Sequence, residues 1–393
     1  MTNRFNTGLK TLTGLAVLLL LGLLFNSVFR QLQEYSQQNN FVPGSASSSN
    51  LIAFTSEKSG DPEIYTMYAD GSNVINLTNN PANDTSPAWS PDGTRLAFIS
   101  DRLGRPQIFV MNADGSNVVQ LTDIPDTAGW WDPLDWSPNG QWLVASRIPS
   151  KMAWVDKGQV NLYLINADGS GATQITTNEV GNDYDPLWSP DGEIIAFTRF
   201  TYGPTKIYSV NPDGTNLAIL ASSAGNDSPF VWAPDGARLI YFSSDRYCNK
   251  NCPPPIELRS VRANGSNQAT LLTLTNHSFC SAERLTWSPD GTRLLISSLD
   301  CEGRGLIYVI NADGTGLKQL MDSKAIISFT PGQVPRPDWS PDDKFITFDS
   351  DRAGSLDIYI LNIDDALMNP AIGPIRLTDD PGGDYSPVWQ PKP

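Results

Sequence analysis

The chain has 393 residues, carries 27 Lys and Arg against 42 Asp and Glu for a net charge of −15, and contains a single histidine, His277. A surface that acidic repels phosphate backbones and anionic lipid, so nucleic-acid binding is not expected, and one histidine removes multi-histidine metal sites and makes Ser/His/Asp or Cys/His catalysis hard to assemble. Only 18% of residues are charged, whereas Gly (31), Pro (30) and Trp (11) are plentiful, the profile of a turn-rich β chain.

From Lys10 to Arg30 no residue is charged, and the centre of the segment is a leucine-rich run, Leu15 to Phe25. About 20 apolar residues cross a bilayer, and Arg4 and Lys10 ahead of the run favour a cytoplasmic N-terminus with export of all that follows. Residues 1–30 are therefore expected to form an uncleaved transmembrane helix, a cleaved signal peptide being the alternative. Either way the body lies outside the cytoplasm, periplasmic or extracellular. Residues 31–50, rich in Gln, Asn and Ser, read as a flexible polar linker.

The remainder, 51–393, repeats. Trp-Ser-Pro-Asp-Gly begins at Trp89, Trp188 and Trp287, with variants at Trp136, Trp232, Trp339 and Trp389, one every 44–55 residues. After each of the first six comes an apolar run, such as Leu96 to Ser100. Most units then carry an Ile-Tyr-like run (Ile64-Tyr65, Ile207-Tyr208, Ile358-Tyr359) and an Asp-Gly or Asn-Gly turn. Short β-branched and aromatic runs between Gly, Pro and Asp turns describe an antiparallel meander, and four strands per unit of about 50 residues describe a propeller blade. Six intervals between tryptophans give six blades. The leading piece (Leu51–Phe54, Ile64-Tyr65, Val74–Leu77) and the lone final strand ending at Trp389 make a seventh, closed by the C-terminal strand. The expected fold is an all-β, seven-bladed propeller, six-bladed if one unit is degenerate.

These repeats, over about residues 51–393, resemble the WD40-like PD40 repeats of TolB-type β-propellers. The resemblance implies an exported, non-catalytic platform for protein contacts. TolB-type proteins resemble a six-bladed propeller behind a separate α/β domain, and here an anchor and linker stand in that place. A role in the Tol–Pal system therefore does not carry over.

In a four-stranded blade the first and third turns (Pro-Asp-Gly and Ala-Asp-Gly) share one face, read as structural, and the longer, irregular loops share the other, where binding residues usually lie. Carboxylates precede the tryptophan strands on that loop face: Asp84, Asp132, Asp183, Asp185, Asp227, Glu283, Asp338 and Asp384. Such a ring would receive a basic peptide or hold calcium at the channel mouth, or its members would cap turns. Trp130, Trp131 and Trp154, with Met152, Phe200 and Tyr202, supply aromatic anchors for a protein or a sugar, or a packed cluster beneath the long loop. The recurrent Ser-Asp-Arg triplets (Ser100–Arg102, Ser244–Arg246, Ser350–Arg352) read as Asp–Arg braces. Cys248, Cys252, Cys280 and Cys301 map to this face on adjacent blades. An even count in an exported chain points to disulfides, with three pairings open and loop adjacency favouring Cys248–Cys252 and Cys280–Cys301; a site mixing cysteine with His277 is the alternative.

No Gly-x-Ser-x-Gly elbow accompanies the blades, as it does in prolyl-oligopeptidase relatives, and oligogalacturonate-lyase-type propellers need several histidines around a metal. No cofactor is expected. The sequence thus points to a membrane-anchored, non-catalytic scaffold for a protein or peptide, of basic character. A carbohydrate-binding or carboxylate-only carbohydrate-cleaving propeller is the alternative.

Overall fold

Six times along the chain, a largely buried run follows a Pro-Asp-Gly-type turn and becomes the second strand of a four-stranded antiparallel sheet, and Leu51–Ser56 is the second strand of a seventh. The computed structural model describes residues 51–125, 130–149, 159–177, 181–201, 204–222, 229–244, 256–275, 281–300, 304–321, 336–369 and 371–392. The expected anchor (1–30) and linker (31–50) lie outside them. Among the described residues no helix is long and apolar enough to cross a membrane.

Blade one pairs Leu51–Ser56, Glu63–Tyr68 and Ile75–Asn76 with the chain's last strand, Asp384–Trp389, on the inside. Ile52 faces Trp389 and Ser56 faces Asp384 across that seam. The inner strands of blades two to seven are Asp84–Trp89, Trp130–Trp136, Asn182–Trp188, Phe230–Trp232, Ser281–Trp287 and Asp338–Trp339. Seven blades and C-terminal closure are as the tryptophan spacing requires.

The turns follow from their residues. In blade two Ser90 Oγ donates to Asp92 Oδ1 (2.6 Å), which accepts the Thr94 N–H (3.1 Å), and Gly93 takes φ +67°. The Ser–Asp bond recurs at Ser189–Asp191 and Ser288–Asp290, both 2.6 Å. At the third turn of blade six, Gly314 has φ +86°, and a Cβ there would sit 2.6 Å from the Leu271 carbonyl oxygen of the preceding blade. Left-handed strain plus a collision with backbone predicts that Gly314→Ala costs roughly 2–3 kcal/mol, read as a lower denaturation midpoint at unchanged slope.

The core lies between blades. Phe98, Phe109 and Met111 of blade two bury themselves with Trp89 against Ala53 and Ile64 of blade one. Each repeat tryptophan is buried, and several tie their blade to the one before: the Trp136 indole N–H donates to the Ala88 carbonyl (3.0 Å) and that of Trp89 to Val388 (3.3 Å). One element departs from the all-β expectation. In blade seven a short helix, Ile363–Met368, replaces the Asp-Gly turn. Asn362 caps it by accepting the Asp365 N–H at 3.0 Å, and Asp364 and Asp365 occupy its first turn, where carboxylates suit the helix dipole.

Candidate functional site

The inner strands carry the loop-face candidates in register, so each is placed by its distance from the repeat tryptophan. Five residues ahead of it stand Asp84, Trp131, Asp183 and Asp384 in blades two, three, four and one. All four side chains are buried. Asp183 meets Arg199 across the hairpin in a two-pronged pair, Oδ1 to Nε at 2.5 Å and Oδ2 to Nη2 at 2.8 Å. Asp84 accepts from Arg102 Nη2 (3.0 Å) and Asn80 Nδ2 (2.6 Å). In blade three the acid is replaced by Trp131, over which the Arg147 guanidinium sits at 5.2 Å, with Tyr163 edge-on at 5.5 Å. Trp131 is 1% exposed and supports the loop face from beneath.

The Ser-Asp-Arg triplets brace differently from the reading above. Arg102 leaves Asp101 alone, bonds Ser100 Oγ (2.8 Å), crosses to Asp84 and stacks on Phe109 (4.9 Å) and Phe98 (5.2 Å). Asp101 instead accepts both the backbone N–H (2.9 Å) and the side-chain amide (2.7 Å) of Asn83. Arg352 repeats the stacking on Tyr359 (5.0 Å) and Phe348 (5.6 Å). Arg246 lies outside the described residues.

Asp185 is exposed at φ +52°, the bulge residue of its inner strand. The equivalent positions of blades six and seven hold Arg284, exposed, and Arg336, half-buried. Glu283 is half-buried beside Arg284. The loop-face rim therefore presents both signs of charge among the described residues, and sequence reading had counted only the acids. Trp130 and Asp132 sit on the blade-three inner strand opposite Ile148 and Ser146. Met152, Trp154, Tyr202, Asp227 and all four cysteines, Cys248, Cys252, Cys280 and Cys301, lie outside the described residues, so their expected roles stand as expectations. Among the described residues no three His, Cys, Asp or Glu side chains gather as a metal site.

A second class of carboxylate stands directly before the tryptophan; sequence reading missed Asp135 and grouped Asp338 with the open loop-face acids. Asp338 accepts the N–H of Trp389 in the next blade (2.8 Å), and Asp135 likewise accepts that of Trp188 (2.7 Å). Burial pushes Asp135 up to about 7 and Asp338 up to about 6, although each accepts backbone N–H groups that favour its ionised form. Burial also raises Asp384, to about 6, against the hydroxyls of Ser56 and Thr378. The sign of the consequence follows. Folded values above the usual carboxylate range of about 4 mean that the folded chain binds protons more tightly than the unfolded one, so stability declines as pH rises from about 4 through 7. Equilibrium denaturation is expected to give a higher midpoint at pH 5 than at pH 8. Asp135→Asn, which keeps the acceptor oxygen, is expected to flatten that dependence, and an unchanged slope would contradict it.

Fold and site together define a seven-bladed propeller of PD40-type repeats with a rigid, arginine-braced loop face. The model of the TolB β-propeller domain family, PD40, matches residues 26–152 and 128–277, and the chain belongs to that family. A TolB homologue from Chlorobium luteolum is 30% identical over 157 residues, 40% of this chain and 33% of the relative. Dipeptidyl-peptidase 5 of Porphyromonas endodontalis is 30% identical over 115 residues, 29% of this chain and 16% of that enzyme. The chain thus matches a third or less of the length of either relative. Among solved structures, an oligogalacturonate lyase in complex with manganese superposes with a TM-score of 0.66 at 19% identity, covering 81% of this chain and 87% of the lyase. TolB from Acinetobacter baumannii gives 0.52 at 17% identity, covering 88% and 67%. These structural likenesses carry the fold alone.

Proposed function

We propose that this chain is an exported, membrane-anchored, non-catalytic propeller that binds a protein or peptide through its loop face. The observation that carries the reading is the contrast between the two faces. One is built from near-identical turns locked by their own Ser–Asp bonds. The other sets exposed charges of both signs, Asp185 of blade four and Arg284 of blade six, on its inner strands, and the Asp84–Arg102 and Asp183–Arg199 pairs stiffen those of blades two and four from below. A rigid base under variable, charged loops suits recognition of a polypeptide, whose charges can be matched in register. Membership of the TolB β-propeller family supports it further. Trp130, Trp154, Asp132 and Asp227 are the contact residues this reading proposes. The test is co-purification of the full chain from an envelope extract beside a Trp130→Ala/Trp154→Ala variant. The parent is expected to retain a protein that the variant loses. Equal capture by both would remove these residues from the contact, and binding of glycans in place of protein would overturn the reading.

A further inference from the structure

The turn face also holds a position that three blades fill with arginine and three with an apolar residue, Trp142, Ile194 and Phe345. Two residues after each Pro-Asp-Gly-type turn, the second strand begins, and in blades two, five and six that position is Arg95, Arg238 and Arg293. Each arginine leans across the groove onto the tryptophan of the next blade: Arg95 over Trp136 at 4.9 Å, Arg293 over Trp339 at 5.1 Å, Arg238 over Trp287 at 5.9 Å. Each also donates to turn carbonyls of that next blade. Arg95 bonds the Gly140 oxygen (2.6 Å) and the Ala167 oxygen (3.4 Å), Arg293 the Asp343 oxygen (3.0 Å), and Arg238 the Ala312 oxygen (3.3 Å). The fold therefore uses a recurrent guanidinium seat, an indole face with one outward turn carbonyl for Arg238 and Arg293 and two for Arg95.

Blade three carries Trp142 at that position. An indole has one N–H and no charge, and among the described residues no side chain donates to the corresponding carbonyls of blade four, those of Gly192 and Pro212. A cavity of about 580 Å³ opens at this groove, lined by Trp142, Trp188, Gly192, Pro212 and the carboxylates Asp191 and Asp213. Hydrogen bonds from Ser189 and Glu193 hold Asp191 below the usual carboxylate range, and those from Thr215 do the same for Asp213, so both are ionised at neutral pH. In blade four the position is Ile194, which packs against the blade-five core around Trp232.

We propose that the groove between blades three and four, bordered by Trp188 and by Trp142 packed against the Trp188 cluster, receives an arginine side chain from a partner polypeptide, which bonds from outside the kind of turn carbonyls that Arg95, Arg238 and Arg293 bond from within. The chain supplies three occupied copies of the same seat, which fixes the ligand chemistry. Two carboxylates and a net charge of −15 add attraction for a cation. A guanidinium beside an indole and two carboxylates binds weakly, enough to be read at high concentration of a small arginine peptide and too little for stable capture, so the seat works as one contact within a larger polypeptide interface. It is separate from the loop-face contact and stands or falls without it.

The test follows the indole N–H signals of Trp142 and Trp188 in the full chain labelled with 15N-tryptophan. The probes are an acetylated, amidated Gly-Arg-Gly tripeptide, its citrulline counterpart and free L-arginine. The arginine peptide is expected to shift both signals, with citrulline at least about tenfold weaker, because citrulline keeps the shape and loses the charge. Free arginine, whose carboxylate faces Asp191 and Asp213, is expected to bind more weakly than the peptide. Trp142→Arg is expected to fill the seat from within, abolishing the peptide response and raising the melting temperature. No shift, or equal shifts with citrulline, overturns the seat. Tighter binding of free arginine than of the peptide overturns the polypeptide source. Should Trp142→Arg fail to fold, the arginine–citrulline comparison on the parent decides alone.

Discussion

Removal of residues 384–393 is expected to abolish the folded ring. The strand Asp384–Trp389 is the inner strand of blade one, and its loss would bare the edge of Leu51–Ser56 and strip the cover from Ile52 and Ala53, both 0% exposed. Trp389 itself is buried, and Asp338 of blade seven clasps its backbone N–H, so two interfaces are lost together. Truncating one buried tryptophan costs about 3–5 kcal/mol, which approaches the whole stability of a typical domain. Circular dichroism and gel filtration of the truncated chain should show an unfolded or aggregated species, in keeping with an exposed strand edge. A cooperative, monomeric unfolding transition would contradict the closure.

The second large effect concerns the brace in blade four. Asp183→Ala leaves the Arg199 guanidinium 8% exposed without its carboxylate and is expected to cost about 3–5 kcal/mol. The same change made together with Arg199→Met should cost less than Asp183→Ala alone, because the stranded charge is gone. Blade three holds a different solution, with Trp131 in the aspartate's place and the Arg147 guanidinium kept over its ring. Denaturant midpoints for the single and double variants check this. A double variant as unstable as the single would show that the cost lies in packing rather than in the unpaired charge.

The seven blades were legible because the tryptophan phrase marks one inner strand per unit and the two chain ends hold complementary fragments of a blade. What the loop face does with its carboxylates was less so. Asp183 and Arg199 are 16 residues apart, and only the bulged register of the hairpin brings them together. The same holds for Asp84 and Arg102, so a pattern that read as a ring of open acids is in part a set of internal pairs. Asp135 escaped notice and Asp338 was read as an open acid because their acceptor role spans two blades, which no local motif reveals. The blade-seven helix did leave a signal, Asn362 followed by Asp364 and Asp365, masked by the expectation of another Asp-Gly turn. The guanidinium seat needed both levels: the substitution of Trp142 for arginine is visible in the repeat, but its meaning appears only where Arg95 reaches the next blade.

The claim that the loop face is the contact surface is tested most directly by placing a photo-crosslinking amino acid at position 185, and separately at position 114 on the turn face of blade two, in the full chain in intact cells. The account predicts from position 185 a discrete crosslinked protein that does not appear among the products from position 114. Capture of that same protein at equal yield from both positions, or no discrete product from position 185, would contradict it.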